Sequence, residues 1–315
     1  MIYLNEQQKS QARKLRSEGG SIRSIAADLG ITTYAIRQWI EDATAIVPPP
    51  VRDGQPAIAF YDIETRPKVG LYFGPNWQTN IAKQLTNVEV LTFSYKWEGS
   101  DETHIVAAWD HPNWRPGILE VDQDEYVMKR LWQMMDYADV VVAHNGDKFD
   151  QKKAFGRMWK YRIMPPSHFI EVDTLKLSRT FFGLDSHKLD DIATYLDLEG
   201  KVSHSGIDLW EGCMLGVEED QETMEVYNVQ DVVLLEEVYQ EAEPWIGFNG
   251  RGRKFNRALW GEAGVPQCPN CGGFDIKPNG FRETATQRKQ SYICPCGARP
   301  TERTISKKKK GVVLN

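Results

Sequence analysis

Three short acidic segments, far apart along the 315-residue chain, constrain its fold more than any other feature. Asp62 and Glu64 close a strand-like run, AIAFYDIET. Asp150 ends HNGDKFD, directly behind the apolar stretch DVVVAHN. Tyr227 and Asp231 sit in YNVQD. On a strand, side chains two apart share a face, so Asp62 and Glu64 point together while Tyr61 and Ile63 point into the opposite layer. On a helix, positions four apart stack, so Tyr227 and Asp231 look into one volume. Asp150 falls where a buried strand gives way to a helix, a usual place for a site in an open α/β sheet. A D-x-E pair alone is more often a solvent-facing feature. Three such segments together demand a fold that brings their carboxylates to one point. Converging carboxylates from separate elements are what two Mg²⁺ or Mn²⁺ ions, about 3.5–4 Å apart, require for phosphodiester chemistry.

The pattern between these segments reads as strand (57–65), loop, strand (88–98), strand (103–110), helix (122–137), strand (139–145), helix (147–160) and strand (169–173). Mostly helix follows, to about residue 240. Three early strands in a meander followed by strand–helix alternation predict an α/β domain with a mixed sheet between helical layers. The loop from Arg66 to Asn87 is long and contains Tyr72, Phe73 and Trp77. It reads either as a stacking platform for a terminal base or as a lid over a small hydrophobic cluster. Asp173, in VDT, reads better as the N-cap of the following helix than as a further site carboxylate.

In these motifs the chain resembles the DEDD-type 3′–5′ exonucleases of the ribonuclease H-like superfamily. Asp62-Ile-Glu64 matches the first motif, Asn145 through Phe149 and Asp150 the second, and Tyr227-x-x-x-Asp231 the third. The tyrosine marks the DEDDy branch, since the histidine branch has His five residues before the last Asp and position 226 here is Val. The resemblance covers about residues 57 to 245. Segments such as KLDDIATYLDLEGK and YNVQDVVLLEEVY are similar to family B DNA polymerase proofreading domains and to stand-alone exonucleases encoded by phages. It implies a ribonuclease H-like three-layer fold over 57–248, with Asp62, Glu64, Asp150 and Asp231 holding two Mg²⁺ (or Mn²⁺). It also implies Tyr227 beside the attacking water and Asn145 near the scissile strand. Phe149 reads as a wedge between bases or, since it begins an amphipathic helix, as core.

Both flanks differ from the middle. Residues 1–46 read as a small all-α helix-turn-helix domain: Ile22, Ile25, Leu29, Ile31, Ile36 and Trp39 fall at core positions, with Ala26 at the close contact and Gly30 in the turn. Thr32, Thr33, Tyr34, Arg37 and Gln38 then lie on an outer face, where Thr33 and Arg37 are candidates to touch DNA. The segment resembles helix-turn-helix domains of transposases and resolvases; a plain trihelical packing module fits the same pattern. Residues 47–56 contain three consecutive prolines and read as a semi-rigid linker.

Cys268-Pro-Asn-Cys271-Gly-Gly and, after a spacer, Cys294-Pro-Cys296-Gly form two tight pairs, each followed by Gly. Such pairs predict one structural Zn²⁺ in a ribbon over 262–304. The stretch resembles zinc ribbons found with transposases. A disulfide reading is disfavoured in a chain whose N-terminus has no apolar signal core. Cys213 stands alone and reads as a small buried hydrophobe. Residues 305–315, with KKKK, form a basic tail.

The net charge of −6 conceals a division. Residues 48–248 carry 18 Lys/Arg against 35 Asp/Glu, whereas residues 249–315 carry 14 against four. Bound divalent cations would offset part of the acidic charge, and the basic end can hold a phosphate backbone that the middle repels. No run approaches the ~18 apolar residues of a membrane span, so a cytoplasmic protein, of phage origin on the resemblance, is expected. The main expectation is a metal-dependent exonuclease on the 3′ end of single-stranded DNA, releasing 5′-mononucleotides. Two others stay open: an RNA-directed nuclease of the same fold, and a DNA-binding regulator or mobile-element protein using the core as scaffold. Replication or recombination partners are not legible.

Overall fold

The computed structural model describes residues 6–17, 22–33, 46–50, 54–74, 80–198, 206–246, 252, 255–261, 267–283 and 288–301. Arg37, with Tyr34, Ile36, Gln38 and Trp39, lies outside these, as do Trp77 and the basic tail. The chain divides into two compact units, residues 1–51 with 57–240, and residues 52–56 with 241–315. Among the described residues, no helix is long and apolar enough to cross a membrane.

The first unit is built on a five-stranded mixed sheet. Its strands are β1 (Ile58–Thr65), β4 (Val90–Trp97), β5 (Thr103–Ala107), β6 (Val140–Ala143) and β7 (Ile170–Asp173), in spatial order β5-β4-β1-β6-β7. β1 pairs antiparallel with β4 and parallel with β6, so it is central, and the C-terminal ends of β1, β6 and β7 share one edge. Strand content follows the sequence: VVVA of β6 is buried on both faces, as parallel strands are. β1 buries Tyr61 and Ile63 on one side and turns Asp62 and Glu64 to the other.

Each face of the sheet is covered by helices. On one, Tyr61, Ile63, Phe93, Tyr95 and Trp97 pack with α3 (Glu125–Tyr137), through Met128, Leu131 and Met135, and with α4 (Asp150–Lys160), through Ala154 and Met158. Burial of these apolar faces supplies most of the favourable energy of the unit. On the other face, Leu91, Ala107 and Trp109 meet α7 (Ile207–Leu215) and α8 (Glu218–Ala242), through Leu209, Cys213, Met224 and Tyr227. Phe60 meets Tyr239 of α8 edge-on at 5.4 Å. Two shorter helices, α5 (Thr174–Phe181) and α6 (Leu189–Tyr195), follow β7. Asp173 caps α5 by accepting from the amides of Leu175 and Lys176. Cys213 is fully buried.

One buried ionic group ties the helices to the sheet. Arg157 of α4 donates from Nε to Asp124 Oδ2 at 2.9 Å, and the same carboxylate oxygen accepts the Val90 amide at 3.0 Å. Breaking it from either side strands a buried charge, a loss of about 3–5 kcal/mol.

The stretch expected to be a structureless loop after Thr65 instead contains a hairpin, β2 (Gly70–Tyr72) paired with β3 (Ile81–Gln84). Its apolar residues face solvent, Phe73 at 84 % exposure, so the alternation that marks a half-buried strand is missing from the sequence. At the N-terminus, α1 (Glu6–Ser17) and α2 (Ile22–Asp28) meet through Ala12, Ile25 and Ala26, with Leu29, Ile31 and Tyr126 of α3 packed on them. Gly30 has φ +63 in the turn after α2, a conformation that Gly adopts without steric cost, and Thr33 beyond it is exposed. The proline-rich stretch starts docked: the Val47 amide donates to the Tyr95 hydroxyl at 3.0 Å, and its carbonyl accepts Trp97 Nε1 at 2.7 Å.

The second unit is small. Two short 3-10 turns, Glu243–Trp245 and Arg257–Leu259, precede the four cysteines and a hairpin of β8 (Lys277–Glu283) with β9 (Arg288–Ile293). Arg257, 2 % exposed, pairs with Glu243 at 2.9 Å. Asn270 Nδ2 donates to the carbonyls of Glu243 and Ile246 at 3.2 and 3.0 Å.

Candidate active site and cysteine cluster

At the C-terminal end of β1, Asp62, Glu64 and Asp231 bring one carboxylate oxygen each to within 4.8 Å of the others. The strand gives the first two by its two-residue period, and α8 gives the third. Tyr227, one turn earlier on α8, shares a hydrogen bond with Asp231. Burial pushes the Tyr227 hydroxyl well above its ordinary pKa, and the charges of Asp231, Glu64 and Asp62 push it further, so it is neutral at any physiological pH. It can donate a hydrogen bond but cannot serve as a base.

Asn228, absent from the sequence reading, organises this group. It is fully buried, and its Nδ2 donates to Asp62 Oδ2 at 2.8 Å. Its Oδ1 accepts from Thr92 Oγ1 at 3.0 Å and Ser94 Oγ at 3.1 Å, both on β4. The amide thus holds Asp62 in one rotamer and has its own acceptor satisfied, which is how an outer-shell partner fixes a ligand.

Asp150 stands apart from the three-carboxylate group. It is the first residue of α4, 3 % exposed, and its Oδ1 accepts the Ile63 amide, between the two acidic residues of β1, at 3.3 Å. Burial raises its pKa to about 7, with Asp173 and Glu171 adding repulsion. The turn before it is tightly determined. Asn145 has φ 66 and donates its amide to Asp173 Oδ1 at 3.0 Å, and a Cβ at Gly146 would meet the Ala143 Cβ at 2.5 Å. Phe149 is 39 % exposed, with Lys153 at 5.3 Å from its ring, so it is not a core residue. Beside this turn, His144 is held as a neutral ring. Nε2 lies 2.9 Å from the His187 carbonyl and Nδ1 lies 2.8 Å from the Thr174 hydroxyl; burial lowers its pKa to about 4.

The donor set fits a hard divalent cation. Oxygens sharing one octahedral ion at ~2.0–2.1 Å lie within roughly 4.2 Å of each other, which the spacing of Asp62, Glu64 and Asp231 permits. Three carboxylates held this close also repel, and a cation relieves that cost.

In the second unit the Sγ atoms of Cys268, Cys271, Cys294 and Cys296 lie within 4.8 Å of one another. Cys268 and Cys296 are 3.7 Å apart, and Cys271 and Cys294 3.6 Å. None of the five cysteines is in a disulfide. A tetrahedral zinc with Zn–S of about 2.3 Å sets sulfurs about 3.8 Å apart, so the cluster fits Zn²⁺. The Gly273 amide donates to Cys271 Sγ at 3.4 Å.

No family model matches the chain, and no curated protein matches it. Among solved structures, the family B DNA polymerase from the hyperthermophilic archaeon Pyrobaculum calidifontis is similar, with a TM-score of 0.46 and 15 % identity. The match covers 81 % of this chain and 37 % of that one, so the chain spans well under two thirds of the polymerase's length.

Proposed function

We propose that this chain is a divalent-metal-dependent 3′–5′ exonuclease that hydrolyses the terminal phosphodiester of single-stranded DNA and releases 5′-mononucleotides. The observation that carries this reading is the convergence of Asp62, Glu64 and Asp231, with Tyr227 bonded to Asp231. Mg²⁺ or Mn²⁺ held there would supply a water acidified to near-neutral pKa and charge stabilisation for the leaving 3′ oxygen. Asp62, Glu64 and Asp231 are the residues to hold one ion, and Asp150, beside the Asp62–Glu64 backbone, is the residue to reach a second. The chain's own contributions are positional. Asn228 fixes Asp62, and the neutral Tyr227 hydroxyl orients the attacking water without removing its proton. Asn145 and Phe149, between β6 and α4, would contact the terminal nucleotides.

The test is end-labelled single-stranded DNA and RNA digested side by side, with Mg²⁺ and with EDTA. Stepwise loss of the 3′ end of DNA, abolished by EDTA, is the expected result; cleavage that persists in EDTA overturns it. Tyr227→Phe should slow the chemical step by roughly tenfold to a hundredfold while substrate binding holds.

A further inference from the structure

Residues 249–315 carry 14 Lys/Arg against four Asp/Glu, and one cross-strand position of the β8–β9 hairpin sets two of these cations against each other. Arg282 on β8 faces Lys289 on β9 directly across the ladder. Like charges in that position destabilise a strand pair. Among the described residues, neither forms an ion pair. The neighbouring positions, Phe281 opposite Gln290, place their side chains on the other face of the ribbon. There Phe281 is 56 % exposed, and the Arg288 guanidinium lies over its ring at 4.1 Å. A large exposed aromatic capped by a guanidinium offers a flat cationic surface for a third ring. A cation pair without an acidic partner among the described residues on one face, and a stacking surface on the other, suit one kind of ligand.

We infer that the β8–β9 hairpin binds single-stranded nucleic acid, with Arg282 and Lys289 contacting successive phosphates and the Phe281–Arg288 stack receiving an unpaired base. The hairpin is a two-stranded sheet, about 5 Å between strand axes, with β9 bridged at Ser291 and Tyr292 by Thr301 and Pro300; among the described residues β8 pairs with β9 alone, so a flexible strand can cross the β8 edge and reach both faces. A stiff duplex cannot. The site uses none of the carboxylate residues and needs no cleavage.

The experiment uses the full zinc-loaded chain in buffer without added Mg²⁺. Anisotropy of a fluorescein-labelled oligothymidylate is titrated across a salt series, beside a labelled duplex of mixed sequence. Arg282→Gln with Lys289→Gln should weaken oligothymidylate binding roughly tenfold near 0.15 M salt and shallow the log–log salt slope by about 1.4. Its zinc content and melting temperature should hold or rise, because the repelling pair is gone; a merely structural role would lower the melting temperature instead. Arg282→Lys should restore binding, and Phe281→Ala should weaken it at least about fivefold. If the double variant loses zinc, Lys289→Gln alone carries the test, with a slope change of about 0.7. Wild-type affinity and slope in the glutamine variants, wild-type affinity in Phe281→Ala, or duplex bound as tightly as the single strand, overturns the proposal. Because binding is read without cleavage, failure here leaves the exonuclease reading standing, and an inactive chain that still binds leaves this one standing.

Discussion

The carboxylate group of the first unit and the thiol cluster of the second both gather ligands from distant segments, but they stand in opposite relations to the fold around them. Asp62 and Glu64 project from a strand paired on both sides, and Asp231 from a helix packed over the same sheet. The scaffold exists without them. Around the thiols, by contrast, the apolar cluster among the described residues is little more than Cys268, Cys294 and Ala298, with Ile276, Cys271 and Cys296 against them. Here the ligands are the core. A metal in the first place would serve chemistry; in the second it would serve folding.

That contrast can be broken most directly by removing zinc. Strong chelation, or Cys268→Ser, should unfold the second unit, since zinc binding to such sites is worth on the order of 10 kcal/mol. Circular dichroism of the first unit should stay near normal under either treatment, and Cys268→Ser in Mg²⁺ should still cleave a very short oligonucleotide at a near-normal rate. Elemental analysis that finds no zinc, or a second unit that keeps its structure after chelation, would erase the distinction. The next largest effect is the converse. Asp231→Asn should cut turnover by about three orders of magnitude, roughly 4 kcal/mol of barrier, while the melting temperature stays level or rises as one of three repelling charges goes.

Asn228→Ala tests whether the carboxylates are truly pre-positioned. It removes the donor to Asp62 and the acceptor for Thr92 and Ser94, so it should cost about 1–3 kcal/mol of stability. It should also raise the Mg²⁺ concentration for half-maximal activity by roughly tenfold or more. An unchanged Mg²⁺ requirement would reduce Asn228 to a packing residue.

The smallest effect concerns acid. His144 stays neutral in the folded chain down to pH about 4, whereas the unfolded ring takes up a proton near its ordinary 6.5. Its contribution to stability is therefore intact above pH ~6.5 and falls away as pH drops toward ~4, by at most about 3 kcal/mol. Asp150, with its pKa raised to about 7, acts in the opposite sense over much of that range. Melting temperatures of wild type and His144→Gln should accordingly be compared at each pH. The difference between them should shrink or reverse below pH ~6; a constant difference would mean that the ring is solvated.

Much of the site was legible because its spacings match element periods: two along β1, four along α8. The central strand, the order of the elements and the capping role of Asp173 follow from local pattern alone. Asn228 was not legible, since its meaning lies in Thr92 and Ser94, more than a hundred residues earlier in sequence. Nor does HNGDKFD disclose that Asp150 turns its Oδ1 to a backbone amide instead of joining the other three. The hairpin at 70–84 escaped because its side chains face solvent, leaving no burial period to detect. For Arg37 and its neighbours, the sequence remains the whole basis of the reading.

The centrality of β1 has a consequence for how this molecule opens. A strand with neighbours on both sides exchanges its amide hydrogens only through the rarest, most extensive fluctuations, whereas a ribbon like β2–β3, exposed along all of β3, opens almost freely. Asp62 and Glu64 therefore ride on one of the last segments to come apart. Partial unfolding that frees the hairpin, or even the end of α8, would leave that pair aligned, ready to capture Asp231 again when the helix docks back.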